Sequence, residues 1–299
     1  MLYYRRKILL ALLEVFGGQL TAKCLQKYLF LFTRKQEVKA FDFVPYKYGC
    51  FSFQANQDLI TLGTYGYVEL CDTPTGRVIK LKENKPYSLE LNLFDRQYLT
   101  TVKTEFGQLS QNELIRYTYV HYPFYATKST IAHKLVTPEE QAKIDAQIRT
   151  FSETVLFTIG YEGISLETYL NRLIINDVRV LCDVRKNAYS QKYGFSKSTL
   201  QKACDGVGIE YVHIPELGID SGERQNLSSQ KEYDLLFARY EKSTLKQNES
   251  YLSIIINKLS ENKRVALTCF EKDPAQCHRT RIAKRLMNEP DRFFTLKQL

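Results

Sequence analysis

Four short runs in the second half of the chain constrain its fold most. They are VLFTI (155–159), VRVLCDV (178–184), IEYVHI (209–214) and RVALTCF (264–270). Each is continuously apolar and rich in β-branched residues, so it suits a strand buried on both faces. Between and after them, apolar residues recur at helical spacing, predicting helices from about Leu166 to Ile174, Lys197 to Gly206, Gln230 to Tyr240, Tyr251 to Leu259 and His278 to Met287. Apolar strands alternating with helices imply an α/β fold with a parallel sheet covered on both sides. In such folds ligands bind beyond the carboxyl ends of the strands, so the residues after each run are the ones to read for chemistry.

The first half has a different pattern. Ile8, Leu9, Leu12, Leu13 and Phe16 recur at steps of three and four, marking an amphipathic helix that Gly17-Gly18 ends. Thr21 is placed to cap a second helix running to about Phe32, and a third is expected from about Ser52 to Leu62. YGYVEL and RVIKL read as strands, as does the segment around Tyr87 to Leu93. Helices followed by a hairpin predict a mainly helical, winged-helix-like domain over residues 1–136. At Thr137, a capping box with Glu140 and Pro138 at the first helical position predicts a polar linker helix over 137–152, leaving 153–299 to the α/β domain.

Charge separates the halves further. The net +9 is uneven, because residues 1–50 hold nine Lys or Arg against three acids. Such a surface suits phosphate, so DNA is the expected partner, with Arg5, Arg6, Lys7, Lys23, Lys27, Arg34 and Lys35 as its contacts. A solvated basic face without a partner is the competing reading. The third helix offers only Gln54, Asn56 and Gln57 for base edges, which weakens the usual docking mode. The longest apolar run, Ile8 to Leu13, is far short of the roughly 20 residues a membrane span needs. Glu14 interrupts the opening stretch, which therefore reads as a helix of the mature protein rather than an export signal. Seven scattered cysteines fit neither a disulfide framework nor paired zinc-ligand spacing, so a cytoplasmic protein with no cofactor and no metal is expected.

The strand ends carry the candidate chemistry. Tyr161 and Glu162 follow the first run; Asp183, Arg185 and Ser190 follow the second. His213, Glu216 and Arg224 follow the third, and Cys269, Glu271, Cys277, His278 and Arg279 the fourth. Carboxylates, histidines, arginines and a thiol converging on one rim would serve acid–base or nucleophilic chemistry on an anionic substrate. Asp183 could equally cap a turn, and Arg185 could pair with it or with Glu216. Cys182 and Cys269 read as packed core thiols. Cys277 opens a helix beside His278 and Arg279, where the dipole would favour either a thiolate or a bound phosphate, the latter with Arg279 as its fork.

Two resemblances bear on these residues. TIGYEG, DVR, GFSK, YVHIPELG and CFEKDPAQCHR, in this order, resemble the domain of unknown function 488 family over about Phe157 to Leu286. The resemblance implies a Rossmann-like three-layer domain with a polar site at the strand ends. By its motifs it singles out Tyr161, Glu162, Asp183, Arg185, Ser190, His213, Glu216, Arg224, Glu271, Cys277, His278 and Arg279. YKYGCFSFQANQDLITLGTYGYVEL and TEFGQLSQNELIRYTYVHYPFYA, within about Met1 to His133, resemble the Panacea domain of phage-associated and antitoxin-like proteins. That implies a helical interaction or DNA-associated module and a link to phage defence.

The reading that joins these observations is a DNA-binding enzyme acting on nucleic acid, a hydrolase of the glycosylase type working on a base or modified base. Glu162 or Asp183 would orient water, with Glu271 as a further acid–base candidate, His213 or His278 would assist the leaving group, and Arg185 and Arg279 would hold phosphate. Two alternatives stand beside it. One is a thiol-dependent phosphatase or sulfurtransferase at Cys277; the other is a non-enzymatic DNA-binding regulator or antitoxin-like adaptor. A homo-oligomer is compatible with each.

Overall fold

The computed structural model describes residues 2–74, 76–224, 227–290 and 292–299. It divides into two compact units, Met1–Ile148 and Arg149–Leu299. The first unit begins with helix α1 (Tyr4–Val15), strand β1 (Gln19–Thr21) and helix α2 (Ala22–Lys35). Gly17 and Gly18 both have positive φ, a conformation side chains resist, and Gly18 N–H closes the helix end on the Leu13 carbonyl at 2.8 Å. Thr21 caps α2 by accepting from the Cys24 amide. A short hairpin of β2 (Val44–Tyr46) and β3 (Gly49–Phe51) leads into α3 (Phe53–Thr64), capped by Ser52. Strands β4 (Val68–Thr73) and β5 (Gly76–Leu81) then pair antiparallel, and β1 adds to β5, giving the order β1-β5-β4.

The segment around Tyr87 to Leu93, expected to be a strand, is a 3₁₀ turn at Tyr87–Glu90 followed by helix α4 (Leu93–Phe106). The local chemistry explains the difference: the Asn92 side chain accepts from the Asp95 amide at 2.8 Å and so starts a helix where apolar content alone suggested extension. Helix α5 (Gln111–His121) follows. Helix α6 (Pro138–Asp145) has the expected capping box at Thr137 and Glu140 but stops at Asp145. Its Ile144 joins Ile115, Tyr119, Ala126 and Ala132 in a small cluster of the first unit.

In the second unit the four expected strands form as β6 (Val155–Gly160), β7 (Val180–Asp183), β8 (Glu210–His213) and β9 (Arg264–Cys269). A fifth, β10 (Thr295–Gln298), lies at the edge, and the all-parallel order is β10-β6-β9-β7-β8. The connecting helices are α7 (Leu166–Ile175), α8 (Lys197–Gly206), α9 (Gln230–Tyr240), α10 (Leu252–Asn262) and α11 (His278–Met287). Leu156, Val180, Cys182, Val265 and Leu267 present one face of the sheet to Leu236, Phe237, Ile255, Leu259, Ile282 and Leu286 of α9, α10 and α11. Each fully buried side chain of this kind contributes about 1.5–3 kcal/mol. Alternate strand residues such as Leu181 and Ala266 are also fully buried, as a sheet covered on both faces requires. The chain leaves β6, skips a position to β7 and β8, and returns through β9 between β6 and β7. The strand order therefore reverses at β9, the place where doubly wound sheets open a crevice.

Candidate active site

Register brings the strand ends into one row. Gly160 lies opposite Cys269, Thr268 opposite Asp183, and Asp183 opposite His213. Above this row is a cleft of about 270 Å³ whose lining includes Tyr161, Arg185, Lys186, Ser190, Arg224, Cys269, Phe270 and His278. Two hydrogen bonds set its floor: Tyr161 and Glu162 both donate their backbone N–H to the Phe270 carbonyl, at 3.1 and 2.9 Å. Any side chain at Gly160 would collide with the Glu271 carbonyl oxygen, so the β6 and β9 ends meet backbone to backbone.

Two polar networks occupy this edge. In the first, Asp183 is fully buried and accepts from the Arg185 backbone N–H at 3.1 Å, from its guanidinium at 2.5–3.1 Å, and from Tyr211 Oη at 2.6 Å. Arg185 is held further by Nη1 donating to Tyr161 Oη at 2.6 Å and to the Phe195 carbonyl at 2.9 Å. The Tyr161 ring stacks on Phe195 at 4.2 Å. Burial pushes the Tyr211 phenol up, and the Asp183 charge pushes it further. Asp183 was expected to orient water and Arg185 to hold phosphate; here the carboxylate is enclosed by donors and the guanidinium is committed to it.

The second network centres on Cys269 at the end of β9. Its Sγ–H donates to Glu271 Oε2 at 3.1 Å, and Sγ lies 3.6 Å from His278 Nδ1. Glu271 Oε1 is ion-paired with Arg224, whose Nη2 also donates to His278 Nδ1 at 2.9 Å. His278 Nε2 lies 2.8 Å from the Val184 carbonyl. A carbonyl only accepts, so Nε2 carries the proton and the Nδ1 lone pair faces the thiol and Arg224. Burial alone would push the Cys269 thiol up, but the Cys277 thiol, His278 and Arg224 outweigh it and hold Cys269 well below the ordinary thiol range. Cys277 is moved the other way, well up, by burial and by the neighbouring Cys269. Cys269 is packed at the strand end, as read from sequence, and its thiol ionises more readily than that of Cys277. Glu271, Cys277 and His278 lie within nine residues of Cys269 in the chain, whereas Arg224 arrives from a distant segment.

Other expected residues take structural posts. Cys277 is fully buried and stands at the cap of α11, its side chain turned to Cys269 and not to the helix amides. Arg279 is also fully buried; it donates to the carbonyls of Glu271 and Lys272 at 2.5 and 3.3 Å, fixing the loop rather than forking a phosphate. Glu162 is exposed and accepts from the Lys272 N–H at 3.0 Å. His213 Nε2 meets the Arg185 carbonyl at 2.9 Å, and the Glu216 carbonyl accepts from Asn248. Ser190 lines the cleft and accepts from the Lys192 N–H.

Cys269 Sγ, Cys277 Sγ and His278 Nδ1 lie within 4.8 Å of one another, a nitrogen and sulfur set of the kind zinc accepts. The Arg224 guanidinium, however, already occupies the Nδ1 lone pair and would face any cation placed there. The residues present thus suit an ionised thiol better than a metal ion.

In the first unit the basic residues proposed for DNA are largely engaged internally. Arg5 and Arg6 both pair with the buried Asp58, at 2.5 and 2.7 Å. Lys7 pairs with Glu90 and Lys35 with Glu105. Arg34 lies over the Phe30 ring and donates to Tyr125 Oη, and Lys23 lies over the Tyr48 ring. Lys27 is 1% exposed and donates to the Cys50 carbonyl at 3.0 Å, which removes it from any outer face a duplex could touch.

Residues 165–286 match the family model described as Domain of unknown function DUF488. The match runs from Ser165, the cap of α7, into α11, and so takes in the DVR, HIPELG and CFE to CHR segments that build both networks. No curated protein and no solved structure matches the chain significantly. No helix among the described residues is long and apolar enough to cross a membrane.

Proposed function

We propose that the second unit is a thiol-dependent enzyme with Cys269 as its nucleophile, acting on a small anionic ester. The observation that carries this reading is the position of one residue: Cys269 is among the residues lining the cleft, and its Sγ lies 3.1 Å from Glu271 Oε2 and 3.6 Å from His278 Nδ1. A nucleophile, a proton acceptor, and a third group orienting that acceptor are the parts of an activated thiol site. Here the Val184 carbonyl fixes the histidine ring, and Arg224 fixes the carboxylate. Lys186 supplies positive charge at the cleft, which suits phosphate.

In the phosphatase form, the Cys269 Sγ proton passes to Glu271 Oε2 and the sulfur bonds to phosphorus. The ester P–O bond breaks, and the alcohol leaves with the proton held by the acceptor. Water then cleaves the S–P bond, releasing phosphate and restoring the thiol. The alternative of base hydrolysis has less to support it, since Asp183 is enclosed by Arg185 and Tyr211 and Glu162 points to the Lys272 amide. DNA recruitment by the first unit is likewise less supported, because five of its seven proposed contacts are ion-paired or buried.

The test is turnover of p-nitrophenyl phosphate, with thiosulfate plus cyanide as the sulfur-transfer arm. Cys269→Ser should abolish whichever activity the wild type has, and Cys277→Ser should retain most of it. Turnover that survives Cys269→Ser overturns the proposal.

A further inference from the structure

A second cavity, in the first unit, holds about 510 Å³ and is built around a buried cation. Lys27, on α2, reaches its floor and is 1% exposed. Its ammonium donates to the Cys50 carbonyl at 3.0 Å, and among the described residues no carboxylate pairs with it. Burial holds the Lys27 pKa below the ordinary lysine value, so the charged form is costly there unless an anion completes it. None of the residues lining this cavity is acidic, whereas Lys23 and the exposed Lys47 add positive charge. Arg77, also in the lining, is neutralised by Asp72 at 2.9 Å.

The aromatic residues here bear on what kind of anion would fit. Tyr48 is 42% exposed at the cavity, and the Lys23 ammonium lies 4.4 Å from its ring centre. Phe51 and Tyr46 stack on each other in the same wall. Gly49, in the lining, has φ +92°, and a Cβ there would run into the buried Tyr119 ring and lie 3.4 Å from Lys27 Nζ, so the backbone beside Lys27 admits only glycine. The volume is in the range of small-molecule sites, and the lining is mostly apolar with a few cations. A cationic floor beside an exposed ring matches a ligand that joins a phosphate to a flat base.

We infer that this cavity binds the phosphate and base of a nucleotide, free or at the phosphorylated end of a nucleic-acid strand. Lys27, Lys23 and Lys47 take the phosphate, and Tyr48 takes the base. The site is separate from the Cys269 cleft and does not depend on its chemistry. It also gives Lys27 a role that its burial denies it on an outer surface.

Calorimetric titration of the full-length chain with AMP and with adenosine tests the inference. AMP should bind, and adenosine should bind at least about tenfold more weakly, since charge-assisted contacts to phosphate are lost. Lys27→Met should remove the preference for AMP. If that variant fails to fold, Lys23→Glu with Lys47→Glu should weaken AMP binding by about tenfold or more, because both side chains are at the surface. An end-phosphorylated single strand distinguishes the sources: tighter binding than AMP assigns the site to a strand end, and equal or weaker binding to the free nucleotide. Equal binding of AMP and adenosine, no binding of either, or AMP binding unchanged in the surface double variant overturns the inference.

Discussion

Two buried networks share the carboxyl edge of the parallel sheet and differ in how completely they are satisfied. Around Asp183, the carboxylate is met by the chain itself: it takes four guanidinium and backbone contacts from Arg185 and one from Tyr211. Around Cys269, a thiol, a carboxylate and an imidazole lone pair compete for one guanidinium and face a cleft. The first arrangement fixes geometry, because a fully satisfied polar cluster has one low-energy state. The second leaves the Cys269 thiol on an acceptor, Glu271, from which the proposed nucleophile would be formed. Charge content alone does not separate scaffold from site; what does is whether the chain has already met the demand.

The largest expected effect breaks the satisfied side. Asp183→Ala strands a buried Arg185 and should cost about 3–5 kcal/mol of stability, measured by urea unfolding. A loss under about 1 kcal/mol would mean that the pair is not enclosed as described. Next comes the wall between the networks. Gly160→Ala forces the Glu271 loop away and should cost about 1–3 kcal/mol, with weaker alkylation of Cys269 in the folded variant. On the open side, His278→Gln and Arg224→Gln should each raise the Cys269 pKa. The thiolate fraction near neutral pH, and with it the iodoacetamide rate there, should fall by about tenfold for each unit of that rise. The smallest effect is a control far from either network. Lys35→Ala breaks a partly exposed pair with Glu105 and should change stability by no more than about 1 kcal/mol.

Much of the fold was legible because periodicity and capping are local. Helices α8, α9 and α11 begin and end where the spacing places them, and all four apolar runs became strands. Strand β10 was missed because TLKQ sits at the sheet edge, mostly exposed, and carries no apolar alternation. The 87–93 segment departs from the strand expected of its apolar content because the Asn92 side chain caps α4 there. The site was legible as a rim and not as a mechanism. Arg185 and Asp183 are two residues apart, so their pairing could be proposed from sequence. Cys269 gains its character from Arg224 and His278, 45 and 9 residues away in the chain, and only folding reveals that. The same limit applied to Lys27, whose charge counted toward a basic surface although helix packing turned it inward.

The central claim is that Cys269 is the nucleophile and ionises more readily than Cys277. It is tested most directly by iodoacetamide labelling across pH, with the modified cysteines mapped by mass spectrometry. The sign follows from the shifts: a thiol held below its ordinary pKa of about 8.5 stays reactive as pH falls toward about 6, whereas a raised one does not. Cys269 should therefore label first near pH 6, ahead of the more exposed Cys24 and Cys71 and with Cys277 unmodified. Labelling of Cys277 first, or a Cys269 rate that rises only above the ordinary thiol pKa, would contradict it.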